Sequence, residues 1–241
     1  MAELQRVFWD AGHGGKDPGA VKYVTEATVA KKVVKYGGAF MKENYECEVY
    51  IDMTDDSTHQ IAARANAWEA DLFISVHFNA GGGDGWEGLV YSIASIKLGQ
   101  TFEKHVKAIG QNSRGVKFRP ELNVLRLTKM PAILNEAAFV DNKQDIKDWD
   151  EDHELKKMGE ALAKAAAEYL GLKKKSSGPK YETITDLNFR KAPNLESVVL
   201  GLIPKGTKLT GTPEGSWLKT KFEGKTGYVR IKGQKTYCKK V

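Results

Sequence analysis

The sequence predicts an α/β domain built on a largely parallel sheet, followed by a small all-β barrel. Between residues 6 and 172, short apolar runs rich in β-favouring residues alternate with segments of helical period, the pattern of strands joined by crossover helices. Residues 173–180, Lys-Lys-Lys-Ser-Ser-Gly-Pro-Lys, break that pattern with a basic, small-residue stretch that reads as a linker. Beyond it come short apolar runs separated by turn residues, a spacing typical of a compact β-barrel.

Residues 6–9 form the first strand and deliver the loop Asp10-Ala11-Gly12-His13-Gly14-Gly15. A glycine-rich loop after a strand can cradle phosphate, but this one lacks the Gly-Lys-Ser/Thr ending of a P-loop and the spacing of a dinucleotide fingerprint. Glycines flanking His13 instead let the backbone turn sharply and leave the imidazole uncrowded, with Asp10 near enough to orient the loop or the ring. Thr25 is a plausible N-cap for a helix over residues 26–43, and Glu26 in its first turn complements the helix dipole. Val29, Val33, Val34, Phe40 and Met41 give that helix its apolar stripe.

Residues 47–53 read as the second strand, and Asp55-Asp56-Ser57 caps a helix bearing Ile61, Ala62, Ala65 and Trp68, with His59 exposed. The run 72–76 is nearly continuous and apolar, as in a strand buried on both faces, and it ends in His77 before Gly81-Gly82-Gly83. His77 therefore falls at the carboxyl end of a central strand, where open α/β sheets place their ligands. Residues 86–91 are the next strand and 96–111 a helix with His105 on its surface. Residues 123–127 and 132–134 follow as short strands. Glu136 comes directly after Pro131-Ala132-Ile133-Leu134 and should emerge at the sheet edge, a place where carboxylates are seldom found without a partner. Asp141-Asn142 opens a short helix, and residues 155–172 close the domain, with His153 at their polar entrance. In the tail, strands are expected over 187–190, 198–201, 207–210, 217–222 and 226–229, with Trp217, Phe222 and Tyr228 read as barrel core.

Composition narrows the function classes. With 41% hydrophobic and 28% charged residues over 241 positions, the chain is that of an ordinary globular protein with two domains. Its first residues enter a strand without a basic and apolar leader, and no apolar run reaches membrane-spanning length, so neither an export signal nor membrane insertion is expected. Cys47 and Cys238 fall in different domains, which argues against a structural disulfide and for manufacture in a reducing compartment; two cysteines also cannot build a cysteine-based zinc site. Charge is divided unevenly: residues 173–241 hold 16 Lys+Arg against 5 Asp+Glu, and residues 1–172 hold 21 against 26. A basic tail on an acidic front half suggests two jobs, the tail being attracted to a polyanion, although a solvated surface would look the same.

His13, Glu26, His77 and Glu136 are thus two imidazoles and two carboxylates, three of them at strand ends or a helix start of one sheet. Two His and one Glu with an open fourth position is a ligand set of catalytic zinc, and a second Glu off the metal can take a proton from water.

At these residues the front domain resembles the zinc-dependent N-acetylmuramoyl-L-alanine amidases of the type-3 family. The matching stretches are Asp10-Ala11-Gly12-His13-Gly14-Gly15, Glu26, Arg64-Ala65-Asn66 leading to Ser75-Val76-His77-Phe78-Asn79-Ala80, and Pro131-Ala132-Ile133-Leu134-Asn135-Glu136 to Asn142. The departures are Ala11, where proline is usual, and Ala138, where glycine is common; both are small residues that affect loop stiffness more than chemistry. The resemblance implies a mixed sheet of about six strands flanked by helices, one Zn2+ held by His13, Glu26 and His77, and Glu136 as the catalytic carboxylate. It implies cleavage of the amide between N-acetylmuramic acid and the L-alanine of the stem peptide, with Asn79 a candidate oxyanion donor.

The tail resembles bacterial SH3-type domains through Leu187-Asn188-Phe189-Arg190, Lys205-Gly206-Thr207-Lys208-Leu209 and Gly224-Lys225-Thr226-Gly227-Tyr228-Val229. The organisation expected is therefore a catalytic domain over 1–172, a linker over 173–180 and a wall-binding domain over 181–241. That arrangement is similar to a bacteriophage endolysin, made in the host cytoplasm and released to a Gram-positive wall, with both domains meeting bacterial peptidoglycan. A bacterial autolysin, or a zinc carboxypeptidase or endopeptidase on the same polymer, would share most of these features. A purely wall-binding protein would not need the four site residues, and the tail carries no recognisable nucleic-acid motif.

Overall fold

Period-two alternation along the first strand already decides the layering of the catalytic half. In the computed structural model, which describes residues 3–175 and 179–241, Val7, Trp9 and Ala11 of β1 (Arg6–Ala11) join one apolar core while Phe8 joins another on the opposite face. β3 (Leu72–Asn79) does the same, with Leu72, Ile74, Val76 and Phe78 on one side and Phe73 on the other. A strand apolar on both faces needs cover on both, and the helices supply it. α1 (Glu26–Asn44), α3 (Ile96–Ala108) and α6 (Asp152–Leu170) pack over the larger core, and α2 (Thr58–Ala67) and α4 (Asn123–Arg126) over the smaller.

With β2 (Glu48–Asp52), β4 (Trp86–Val90), β5 (Ser113–Phe118) and β6 (Ala132–Phe139) the sheet has the order β2-β1-β3-β6-β4-β5. All neighbours are parallel except β4 against β6. β3 therefore lies inside the sheet, and its register with β6 sets His77 opposite Glu136.

Two local readings are corrected. Residues 123–127, expected as a strand, hold the helical turn of α4: Val124 and Leu125 are both buried, as successive residues of a short helix can be, and the Asn123 carboxamide accepts from Arg126 Nη2 at 2.7 Å. The strand that takes its place is β5, whose half-buried Ser-Arg-Gly-Val-Lys-Phe pattern, interrupted by Gly115 at φ +84°, gave no apolar run to read. α2 begins as expected: Ser57 and Gln60 form a reciprocal capping box.

α1 and α6 meet at glycines. A methyl group at Gly159 would lie 2.5 Å from the Val33 carbonyl oxygen, and one at Gly37 would lie 2.6 Å from the Trp9 ring, so only bare backbone allows this approach. The helix ends at Gly171, whose φ of +65° is the left-handed cap that favours glycine.

The chain divides into two units, Met1–Lys175 and Ser176–Val241. Part of the stretch read as a linker belongs to the first: Lys173 O accepts from Glu46 N at 2.9 Å, and Lys175 N donates to Asn44 O at 2.8 Å. Ser176, Ser177 and Gly178 lie outside the described residues. The second unit is an antiparallel sheet of β7 (Lys180–Thr183), β8 (Leu187–Arg190), β9 (Val199–Ile203), β10 (Lys208–Glu214), β11 (Trp217–Phe222), β12 (Lys225–Arg230) and β13 (Cys238–Lys240), in the order β13-β7-β10-β11-β12-β8-β9. Leu187, Phe189, Ile203, Leu209, Leu218, Val229, Ile231 and Cys238 form its core. Of the three aromatics expected there, Phe222 packs against it, whereas Trp217 and Tyr228 alternate with Leu218 and Val229 and face away. Both cysteines are free and buried, and burial raises their thiol pKa values, that of Cys238 to about 11.

Candidate metal centre

β1 ends at Ala11, and the chain then turns so tightly that His13 adopts φ +61°, the left-handed region that a non-glycine residue rarely occupies. The residue just before it is Gly12. A methyl group there would lie 2.2 Å from Cε1 of His77, so the absence of a side chain at Gly12 gives the second imidazole its place. Gly19, at φ +65°, does the same on the other side: a methyl group would lie 2.5 Å from Glu26 Oε2 and 2.7 Å from His13 Cδ2.

Glu26 is buried at the first turn of α1, where the helix amino terminus favours a carboxylate. Its Oε2 accepts from Ala20 N at 2.8 Å and its Oε1 from Phe78 N at 3.1 Å, so the carboxylate is fixed by backbone on both oxygens. Two imidazoles converge on the same Oε1, His13 Nε2 at 3.1 Å and His77 Nδ1 at 3.0 Å, their rings edge-on with centroids 5.0 Å apart. Burial would raise the Glu26 pKa, but hydrogen bonds from the two imidazoles and Ala20 hold it well below the usual carboxylate range. The same Glu26 bond raises His13 to about 9, and Glu26 and Glu136 raise His77 against the opposing effect of its burial.

His13, Glu26 and His77 each offer a ligand atom within 4.8 Å of the other two, a spacing that fits one metal ion. Asp17 supports this use. Its Oδ2 accepts from His13 Nδ1 at 2.8 Å, so that once the Nε2 proton shared with Glu26 is lost, the Nε2 lone pair would face the centre, the arrangement common for metal-binding histidines. Sequence reading missed Asp17; its only trace was a carboxylate four residues after the histidine in a glycine-rich loop. Asp10 was expected near His13 but its side chain lies on the buried face, where Oδ2 accepts from Ser75 Oγ at 2.6 Å; burial raises its pKa to about 6.

Glu136 faces the centre from β6, in register between His77 on one side and Glu87 on the other. Its Oε2 is buried without a hydrogen-bond partner, and burial, with added repulsion from Glu26 and Glu87, raises its pKa to about 7 despite His77. Glu87 is held ionised by Lys117 and Arg114, and also accepts from Asn79 Nδ2 at 3.2 Å. That bond uses one of the two amide N–H groups of Asn79 and leaves the other unassigned. A cavity of about 170 Å³ opens beside the two histidines, lined further by Asp10, Asp55 and Val124. His59 and His153 are exposed, and His105 pairs with Glu168 at 2.8 Å, away from this centre.

Gly12→Ala should therefore displace the His77 ring without removing a candidate ligand. The expected result is metal affinity lowered by roughly 10–100-fold, the range found for residues that orient ligands. Equilibrium dialysis with Zn2+ reads it, and an unchanged affinity would show that the loop yields instead.

The chain matches the family described as N-acetylmuramoyl-L-alanine amidase over residues 7–168. It is 39% identical over 196 residues to the endolysin of Bacillus phage SPP1, covering 74% of this chain and 72% of that protein. It is 33% identical over 151 residues to the N-acetylmuramoyl-L-alanine amidase CwlM of Bacillus licheniformis, covering 59% of each chain. Among solved structures, the catalytic domain of CwlV, an N-acetylmuramoyl-L-alanine amidase of Bacillus (Paenibacillus) polymyxa var. colistinus, aligns with a TM-score of 0.67 at 28% identity, over 70% of this chain and all of that one.

Proposed function

The chain belongs to the N-acetylmuramoyl-L-alanine amidase family, and from that membership we propose a zinc-dependent peptidoglycan amidase whose first unit carries the chemistry and whose second unit holds the wall. The reaction is hydrolysis of the amide joining the lactyl group of N-acetylmuramic acid to the L-alanine of the stem peptide. Convergence of two imidazoles on Glu26, beside the orphaned oxygen of Glu136, supports the zinc reading most directly.

His13, Glu26 and His77 would hold one Zn2+. When bound, zinc supplies Lewis acidity, polarising the scissile carbonyl and making water acidic near neutral pH. Asp17 keeps the His13 ring in the tautomer that presents Nε2. Glu136 takes a proton from the attacking water at its unpaired Oε2 and returns it to the departing α-amine of L-alanine. In the metal-free centre burial pushes this carboxyl to about 7, so the side chain by itself accepts and releases a proton readily near neutral pH. Arg114 and Lys117 pair with the ionised Glu87 and partly offset its repulsion of Glu136. Digestion of purified walls should expose new amino-terminal L-alanine and free lactyl carboxyl groups, identified by mass spectrometry. New D-amino-acid termini would instead mean a peptidase acting on the same polymer.

The resemblance of the tail to SH3-type domains, its basic charge and the likeness to a phage endolysin support a lysin that is made in a host cytoplasm and released to a Gram-positive wall. Charge attraction to the wall should weaken with salt, as the Debye length falls from about 10 Å at 0.1 M to about 3 Å at 1 M. Deleting residues 176–241 should slow lysis of intact walls while leaving cleavage of soluble muropeptide, because tethering acts only on an insoluble substrate. Equal lysis by both forms at every salt concentration, read by turbidity, would remove the targeting role.

A further inference from the structure

In the second unit, strand alternation puts an unusual set of side chains on the face turned away from the core. Leu218 and Val229 are opposite one another in register and buried, so their neighbours Trp217 and Arg230, also opposite one another, project outward. Tyr228 is likewise outward and lies in register with Arg190 of β8. Arg190, Trp217 and Arg230, but not Tyr228, border a cavity of about 230 Å³ that Asp186, Asn188 and Tyr237 also line.

The two guanidinium groups in this cavity are fixed but not neutralised. Arg190 Nη1 donates to Ser197 O at 2.8 Å, and Arg230 Nε donates to Lys232 O at 3.2 Å while its Cζ lies 5.8 Å from the Tyr237 ring centroid. Among the described residues, neither forms an ion pair with a carboxylate, and each retains further N–H donors. Asp186, the one acid in the lining, has Oδ1 bonded to Lys205 N at 2.8 Å and keeps a second oxygen.

Two oriented guanidinium groups, an indole and one carboxylate form a place for a small group with a planar anion and an adjacent amine or apolar side chain. We propose that this cavity binds the free carboxylate end of a wall stem peptide, held by Arg190 and Arg230, with the preceding residue against Trp217. Arginine matches a carboxylate through paired parallel N–H donors, and aromatic planes add contact area at little entropic cost. A phosphodiester polymer would be attracted by the dispersed lysines of the unit as well, and would not need two arginines gathered beside an indole in one open-mouthed cavity.

The assignment rests on the wall-targeting reading above, and the test separates the two. The full chain carrying Glu136→Gln is sedimented with purified sacculi before and after removal of teichoic acid, with soluble stem peptide as competitor in free-acid or carboxyl-amide form. Arg190→Gln with Arg230→Gln should lower affinity for stripped sacculi by about tenfold or more, the loss expected for charge-assisted hydrogen bonds. Lys208→Gln with Lys225→Gln, which removes the same charge from elsewhere on the unit, should do much less. Free-acid peptide should compete and its amide should not. Equal loss in the two double variants, equal competition by both peptides, or retention that vanishes with the teichoic acid overturns the assignment. Retention undiminished by deletion of residues 176–241 overturns the targeting reading with it; retention that falls on that deletion but not on loss of the arginines overturns the pocket alone.

Discussion

His77→Ala is expected to lose stoichiometric zinc and, with it, wall hydrolysis. The side chain sits at the end of the inner strand β3, Gly12 leaves room for its ring, and its Nδ1 meets the same Glu26 oxygen as His13. Removing one of three protein ligands leaves a two-ligand site of poor shape, so the fall in affinity should exceed the roughly 10–100-fold carried by residues that merely orient ligands. His105→Ala makes the matched control, because that ring pairs with Glu168 outside the centre. Metal content by mass spectrometry, alongside release of new amino termini, reads the outcome. A His77→Ala protein that still carries one zinc and digests walls would sink the ligand assignment.

Glu136→Gln should keep zinc and fold while slowing hydrolysis by roughly 10²–10⁴-fold, the usual contribution of a positioned acid–base group. Glu26→Gln should do the reverse in kind, weakening zinc binding first, because Glu26 is the carboxylate on which both imidazoles converge. Exchange of these two phenotypes would show that the roles are exchanged. Stability offers a second readout. The folded-state pKa of Glu136 is raised to about 7 from 4.5, so the folded protein binds the proton more tightly and stability falls as pH rises between those values. A glutamine cannot ionise. In metal-free protein the variant should therefore lose less stability than the parent between pH 5 and pH 8, measured by denaturant titration.

The four principal side chains were legible because each stands where a break in pattern is visible: His77 and Glu136 interrupt or follow apolar runs, Glu26 opens a helix, and His13 lies among glycines. What held them was not. Asp17 reaches His13 only because the backbone turns at φ +61°, and Gly12 and Gly19 matter through space, against rings and carboxylates distant in sequence. Asp10 was misplaced for the opposite reason: proximity in sequence suggested His13, but strand pleating sends its side chain to Ser75. In the fold, fully buried strands announced themselves, whereas β5, half-buried and broken by Gly115, and β13, three residues with two lysines, had too few apolar positions to signal. Trp217 and Tyr228 were read as core from their type alone, and the register of β11 with β12 places them outside.

The close approach of α1 and α6 at Gly37 and Gly159 also governs how the chain can be born. α1 leaves the ribosome more than a hundred residues before the helix that packs on it is complete at Leu170. Until α6 is made, the part of α1 that faces it has no native cover, although β1, β2 and β3 already meet the rest of the helix, and non-local pairing of this kind is slow and prone to association. A nascent chain arrested before α6 should thus be a client of holding chaperones, and release of the last helix should trigger collapse of the whole first unit in one step. Catalytic competence would then be withheld until synthesis has passed residue 170.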